Sequence, residues 1–216
     1  MSRPKLASGL FITLDGGVGA GKTTLIEEIV RQLSTEGYDL IRTREPGGTT
    51  LGEEVRHLLL KPAEKPVSPY AELCLFLASR AQHISEVIGP ALEQKKIVLC
   101  DRFNDSSIAY QGAARGLGME KVAEFCSFVA QGLDPHLTLY LDIDPEIGLQ
   151  RAKRSREQDR IEVETVAFHA KIREAFHLLH RMHPHRFHLI DAFQSPAKVF
   201  ADAMYFIHNL LSKYYV

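Results

Sequence analysis

Three cysteines, Cys74, Cys100 and Cys126, stand far apart in a chain of 216 residues and form no CxxC pair. That excludes a disulfide framework and suits a reducing cytoplasm, where buried thiols behave as small hydrophobes. Charge of one sign is also missing: 26 basic residues face 27 acidic ones, for a net of −1. No global field therefore draws this chain to nucleic acid or to a membrane surface, and any anion site must be local. No apolar run approaches the ~18 residues of a membrane span. Leu6 to Leu14 faintly resembles a signal peptide, but Ser8 and Gly9 break it and it runs into Asp15 without a cleavage site, so it reads as a first strand. Internal repeats, low-complexity tracts and linkers are absent as well.

What remains is ordinary globular material, 45% apolar and 25% charged, enough to bury a core. Its length is most economically one domain. Short apolar runs alternate with longer helical patterns, the rhythm of parallel α/β architecture. Leu10 to Leu14 and Ile97 to Cys100 read as buried strands, each ending at an aspartate, Asp15 and Asp101. Leu137 to Ile143, Phe187 to Ile190 and a more polar Tyr38 to Arg42 complete about five strands. Lys22 to Thr35, Pro145 to Arg154, Glu162 to Met182 and Pro196 to Lys213 read as helices. Ser68-Pro69 caps and opens another that runs toward Ile88. Lys61 to Ser68, with Pro62 and Pro66, reads as a surface loop. The expected fold is α/β, a single doubly wound parallel sheet with helices on both faces.

Gly16-Gly17-Val18-Gly19-Ala20-Gly21-Lys22-Thr23 matches GxxxxGK[ST] between an apolar strand and an amphipathic helix. Glycines let successive N–H groups converge on phosphate oxygens, and the following helix aims its positive end at the same point. Lys22 would reach the outer phosphates and the Thr23 hydroxyl a Mg²⁺ ion, with Thr24 next along the same turn. The fold is then of the P-loop NTPase type. An Asn-Lys-x-Asp base-reading motif is missing, because Asn104 and Asn209 are followed by Asp105 and Leu210. A GTPase switch is excluded on that ground, and a small kinase with a second anion pocket is left.

Three segments could build that pocket. Arg44-Glu45-Pro46-Gly47-Gly48-Thr49 follows the second strand, at the carboxyl edge where open α/β sheets bind ligands. Asp101-Arg102-Phe103 ends the third strand at the same edge. Phe76 and Arg80, four apart, share one helix face. Taken alone, Phe76 could be core packing, Arg56 and Arg80 solvated helix charges, Asp101 a structural cap, and Ser107 and Gln111 plain loop polars.

In this order and spacing, Gly16 to Thr23, Arg44 to Thr49, Gly52 to Arg56, Asp101-Arg102-Phe103, Ala109-Tyr110-Gln111-Gly112 and Asp159-Arg160-Ile161-Glu162 resemble bacterial thymidylate kinase, from about Leu10 to Ala192. The resemblance implies transfer of the ATP γ-phosphoryl group to dTMP, giving dTDP, with Mg²⁺ as cofactor. It implies that Phe76 stacks on thymine while Arg80, Ser107 and Gln111 address its polar edge. Arg102 and Arg56 would hold the dTMP phosphate, Tyr110 would close on the deoxyribose, and Pro46 would shape the pocket floor. Asp101 would sit near the metal. A cytoplasmic homodimer is implied too, with neither nucleic acid nor membrane as partner.

Arg151, Lys153, Arg154, Arg156 and Arg160 crowd one segment after the fourth strand. They read either as a solvated basic helix end or as a mobile lid over about residues 151–162. Gly19 stands where some relatives place arginine, so the resemblance gives the catalytic arginine to the lid, with Arg154 and Arg156 as candidates that the sequence does not separate. Val18 stands where the family usually has an acid that binds the sugar hydroxyl. That leaves two rivals open: a kinase for another nucleotide or nucleoside, and a P-loop regulatory ATPase without an acceptor. Five histidines, His177, His180, His183, His185 and His188, lack a carboxylate at ligand spacing and read as a surface helix end.

Overall fold

The structure is a computed structural model that describes residues 4–61, 65–155 and 159–215, with the backbone alone at 154 and 155. Among the described residues five parallel strands form one sheet in the order β2-β3-β1-β4-β5. They are β1 (Leu10–Gly16), β2 (Leu40–Arg44), β3 (Ile97–Asp101), β4 (Leu137–Asp142) and β5 (Phe187–Asp191). Helix α1 (Lys22–Thr35) links β1 to β2. Between β2 and β3 run α2 (Thr50–Leu60), α3 (Pro69–His83), a π-helical turn (Ile84–Ile88) and the short α4 (Gly89–Glu93). A single turn, α5 (Asn104–Ser107), continues as a π-helical stretch (Ile108–Ala114) into α6 (Met119–Ala130). Beyond β4 come α7 (Pro145–Ser155) and α8 (Val166–Met182), and α9 (Pro196–Tyr214) follows β5.

Strand alternation explains the layering. Leu10, Ile12 and Leu14 of β1 pack with Leu25, Ile29 and Leu33 of α1 and with Ala203 and Ile207 of α9. Phe11, one residue out of phase, faces the other side, edge-on to Phe103 at 4.8 Å. On that side Tyr140 of β4 stacks on Phe176 of α8 at 4.3 Å. Each such fully buried ring contributes roughly 1.5–3 kcal/mol. Covering both faces is what lets a parallel sheet exist, and it leaves the carboxyl ends of the strands as the open edge.

Several boundaries differ from the sequence reading. Strand β2 starts at Leu40, not Tyr38, because Gly37 turns in the left-handed region (φ 90°) and Tyr38 N still donates to Leu33 O. Helix α8 starts at Val166, not Glu162. Asp159 Oδ1 accepts from the N–H groups of Ile161 and Glu162, which holds them in a turn, and Thr165 makes the cap. Ser68 precedes α3 without a side-chain capping bond. Helices α2 and α6 were not foreseen. Of the expected Pro-rich loop, residues 62–64 lie outside the described part.

Candidate active site

Gly21, at φ 89°, turns the chain from the glycine loop into α1, whose first turn carries no acid to compete for an anion. Lys22 Nζ folds back over the loop, donating to the carbonyls of Gly16 at 3.0 Å and Gly17 at 3.2 Å. Burial, helped by nearby Arg102, lowers its ammonium to about 8. Thr23 and Thr24 stand exposed beyond it. Behind the loop, α7 comes unusually close: a Cβ built on Gly19 (φ 69°) would lie 2.1 Å from the Gly148 carbonyl oxygen. An arginine at this position has no room unless α7 moves.

Opposite Lys22 opens a cavity of about 1060 Å³. Val18, Gly19, Ala20, Gly21, Lys22, Thr23 and Thr24 form its donor wall. Pro46, Arg56, Phe76, Arg80, Asp101, Arg102, Ser107, Tyr110 and Gln111 line the remainder. Of the residues singled out from sequence, Gly16 and Gly17 lie off the wall, holding Lys22. The side chain of Arg154 and the whole of Arg156 fall outside the described residues.

The second wall is built by buried charges that the sequence reading had not paired. Glu45, 4% exposed, accepts from Arg80 Nε at 2.7 Å and lies 3.0 Å from His83 Nδ1. Arg80 Nη2 donates to Ser107 Oγ at 3.0 Å, and its guanidinium lies over Phe103 at 5.1 Å. Arg80 and Ser107, expected as separate readers of a ligand edge, are thus one hydrogen-bonded unit. Pro46, cis to Glu45, gives its carbonyl to Arg56 Nη1 at 3.0 Å. Gly47 and Gly48 let this turn lie against Ser79 and His83. A Cβ on Gly48 would meet His83 Nε2 at 2.5 Å.

Arg102 adopts φ 71°, sparsely allowed for a non-glycine residue. Its Nη1 donates to Ser106 Oγ at 3.0 Å and its Nη2 to Gly16 O at 3.2 Å, with the guanidinium 5.0 Å from the Tyr110 ring centroid. Ser106 in turn donates to Asp15 Oδ1. Burial pushes the Asp15 carboxyl up to about 7 against the opposing pull of Arg102. Asp101 Oδ1 is buried without a hydrogen-bond partner among the described residues, at the end of β3 beside the donor wall.

Two basic residues of the expected lid are anchored. Arg151 Nη1 donates to Ala192 O at 3.2 Å, and Arg160 donates to Leu59 O at 2.8 Å and to Glu72 Oε2 at 2.7 Å. Glu45, Glu72, Asp15 and Ser106 hold roles in the site that the sequence did not assign, although Glu45 and Ser106 lie in segments read as pocket-building. One signal for Glu72 was present: it falls four residues before Phe76 and eight before Arg80, on the same helical stripe. Of the five histidines, His177 has a carboxylate beside it that the sequence did not show: its Nε2 lies 3.2 Å from Asp142 Oδ2.

A cradle for one phosphate chain facing a guanidinium-lined hollow for a second anion is what phosphoryl transfer between two nucleotides requires. At the carboxyl edge of a parallel sheet, behind a glycine loop, it defines the P-loop nucleotide kinases. Comparison narrows the class: the model of the family described as thymidylate kinase matches residues 14–203. The thymidylate kinase of Protochlamydia amoebophila (strain UWE25) is 50% identical over 209 residues, covering 93% of this chain and 93% of that protein. That of Shouchella clausii (strain KSM-K16) is 45% identical over 208 residues, covering 95% and 98%. The crystal structure of thymidylate kinase from Ehrlichia chaffeensis superposes with a TM-score of 0.74 at 32% identity, over 92% of this chain and 98% of that one. The chain belongs to the thymidylate kinase family.

Proposed function

We propose that this protein transfers the γ-phosphoryl group of ATP to the phosphate of dTMP, giving dTDP and ADP, a step of dTTP synthesis. The observation that carries the reading is the single cavity with Lys22 on one wall and Arg102, Arg56 and Arg80 on the other. Catalysis is positional and electrostatic: two anions are held end to end, and fixed cations neutralise charge that spreads over the transferred group. On binding, the ATP phosphates replace the Gly16 and Gly17 carbonyls as partners of Lys22. Arg102 and Arg56 grip the dTMP phosphate, Phe76 stacks on the base, and Tyr110 closes on the sugar over the floor made by Pro46. Arg80, Ser107 and Gln111 meet the polar edge of thymine.

The orphaned Asp101 Oδ1 and the exposed Thr23 hydroxyl fit a hard cation with oxygen ligands. These two residues would hold Mg²⁺, directly or through water, and the ion would neutralise charge on the ATP phosphates. The catalytic arginine comes from the segment over 151–162, acting as a lid on a single domain, with Arg154 or Arg156 as its carrier. The crowding of Gly19 against Gly148 and the anchoring of Arg151 and Arg160 support that choice. Exposed Leu58 on α2 and Phe125 and Phe128 on α6 support a homodimer packed through these helices. Among the described residues no helix is long and apolar enough to cross a membrane. With few cysteines, this agrees with a cytoplasmic enzyme.

The test is release of ADP with dTMP, dUMP, dCMP and thymidine as acceptors. dTMP is expected to give the highest kcat/KM. Hydrolysis of ATP that is indifferent to every acceptor would show a regulatory ATPase instead.

A further inference from the structure

Glu72 of α3 is 1% exposed yet serves four N–H groups. It accepts from Gln111 Nε2 at 2.8 Å, Arg160 Nη2 at 2.7 Å, and Arg115 Nε and Nη2 at 3.2 and 3.3 Å. Burial alone would raise its carboxyl, but hydrogen bonds from Gln111, Arg115 and Arg160 outweigh it and hold the group below the usual carboxylate range. An ionised carboxylate only accepts hydrogen bonds. Gln111 must therefore turn its amide nitrogen toward Glu72, so the chemistry decides an O/N assignment that atomic positions alone leave open. Gln111 also lines the cavity, and with its nitrogen committed to Glu72 the group that its amide can turn to a ligand is the Oε1 acceptor. Arg80, which has donors and no acceptor, lines the same cavity and is bonded to Ser107, one helical turn before Gln111.

The pocket thus offers a hydrogen-bond acceptor next to a donor. The complementary ligand edge carries an N–H next to a C=O, as the imide of thymine or uracil does. A cytosine-type edge offers a bare ring nitrogen next to an amino group and mismatches at both points. On the reading that the acceptor is a pyrimidine monophosphate, we propose that Glu72 is a positioning residue for base selectivity. By locking the Gln111 amide with its oxygen toward the base, it admits imide pyrimidines and rejects amino pyrimidines. A free glutamine could turn over and serve either edge, and the buried carboxylate removes that freedom. A site built to pair polar edges discriminates far more steeply than an apolar one, because a mismatched ligand leaves buried groups unpaired.

The probes are dTMP and 5-methyl-dCMP, alike in size and differing in that edge. Glu72→Gln keeps the shape but can donate as well as accept, which frees Gln111 to rotate. Its kcat/KM ratio for dTMP over 5-methyl-dCMP is expected to fall at least about 10-fold, mainly through KM. Arg115→Met removes another contact of Glu72 and lowers the thermal midpoint, but leaves the Gln111 bond and is expected to keep the wild-type ratio. An unchanged ratio in Glu72→Gln, or an equal fall in both variants, overturns the inference. Should Glu72→Gln not fold, 3-deaza-dTMP on the wild-type protein decides. This analogue carries C–H where thymine has N–H and is expected to raise KM about 10-fold or more. An equal KM overturns the proposed orientation of Gln111. Failure of the wild-type protein to phosphorylate dTMP at all is a separate result, which overturns the kinase reading itself.

Discussion

Arg80 is held from every side by groups distant in sequence, and it is 1% exposed. Its charge is tolerated because Glu45 lies at 2.7 Å and Ser107 at 3.0 Å. Removing one member of such a pair leaves an uncompensated buried ion, which costs about 3–5 kcal/mol. Glu45→Ala is therefore expected to destabilise the fold by that amount in denaturant unfolding, and to weaken dTMP binding as well. Val18 poses the opposite case, an apolar side chain on a wall where the family usually has an acid. Val18→Glu is expected to lower KM for dTMP by supplying an acceptor for the sugar hydroxyl. An unchanged or higher KM would show that this site holds the sugar by other groups.

At the scale of elements, the glycine loop and α7 meet backbone to backbone. A Cβ on Gly148 would lie 2.3 Å from the Val18 carbonyl oxygen, backbone against backbone, with no flexible side chain to yield. Gly148→Ala is therefore expected to push the loop away from α7. KM for ATP should rise several-fold with a smaller change in KM for dTMP, as initial rates against each substrate would show. Because α7 leads into the proposed lid, this contact would also set where the lid begins. The glycine at position 19 is explained at the same point, since α7 occupies the space that a side chain there would need.

For the whole molecule, two bulk properties follow. The Asp15 carboxyl titrates near 7 in the folded protein, against 3.8 in an unfolded chain. Between those values the folded state keeps a proton that the unfolded state releases, so stability falls as pH rises through that window. Asp15→Asn is expected to flatten this dependence, seen as urea midpoints at pH 5 and pH 8 that lie closer together than in the wild type. The second is the proposed homodimer. Phe125 and Phe128, 56% and 81% exposed, stand on α6 beside α3. Phe128→Asp is expected to halve the mass measured by light scattering, with little change in thermal midpoint beyond that from lost association.

The strand pattern, the glycine loop and α1 were legible in the sequence because each is local: short continuous apolar runs buried on both faces, glycines at fixed spacing, an amphipathic repeat. The same locality placed Phe76 and Arg80 on one face. Helices α2 and α6 were not read, although Thr49 caps the first through Gly52 N. What the sequence alone could not disclose is the set of buried partners. Glu45 meets Arg80 across 35 positions, Glu72 meets Gln111 across 39, and Ser106 meets Asp15 across 91. Sequence by itself determined the fold class, the phosphate cradle and the family, since those rest on short-range backbone geometry and motif spacing. Only the tertiary structure decided which charges neutralise one another and which way the arginines point, because a side chain is oriented by whatever the fold packs against it.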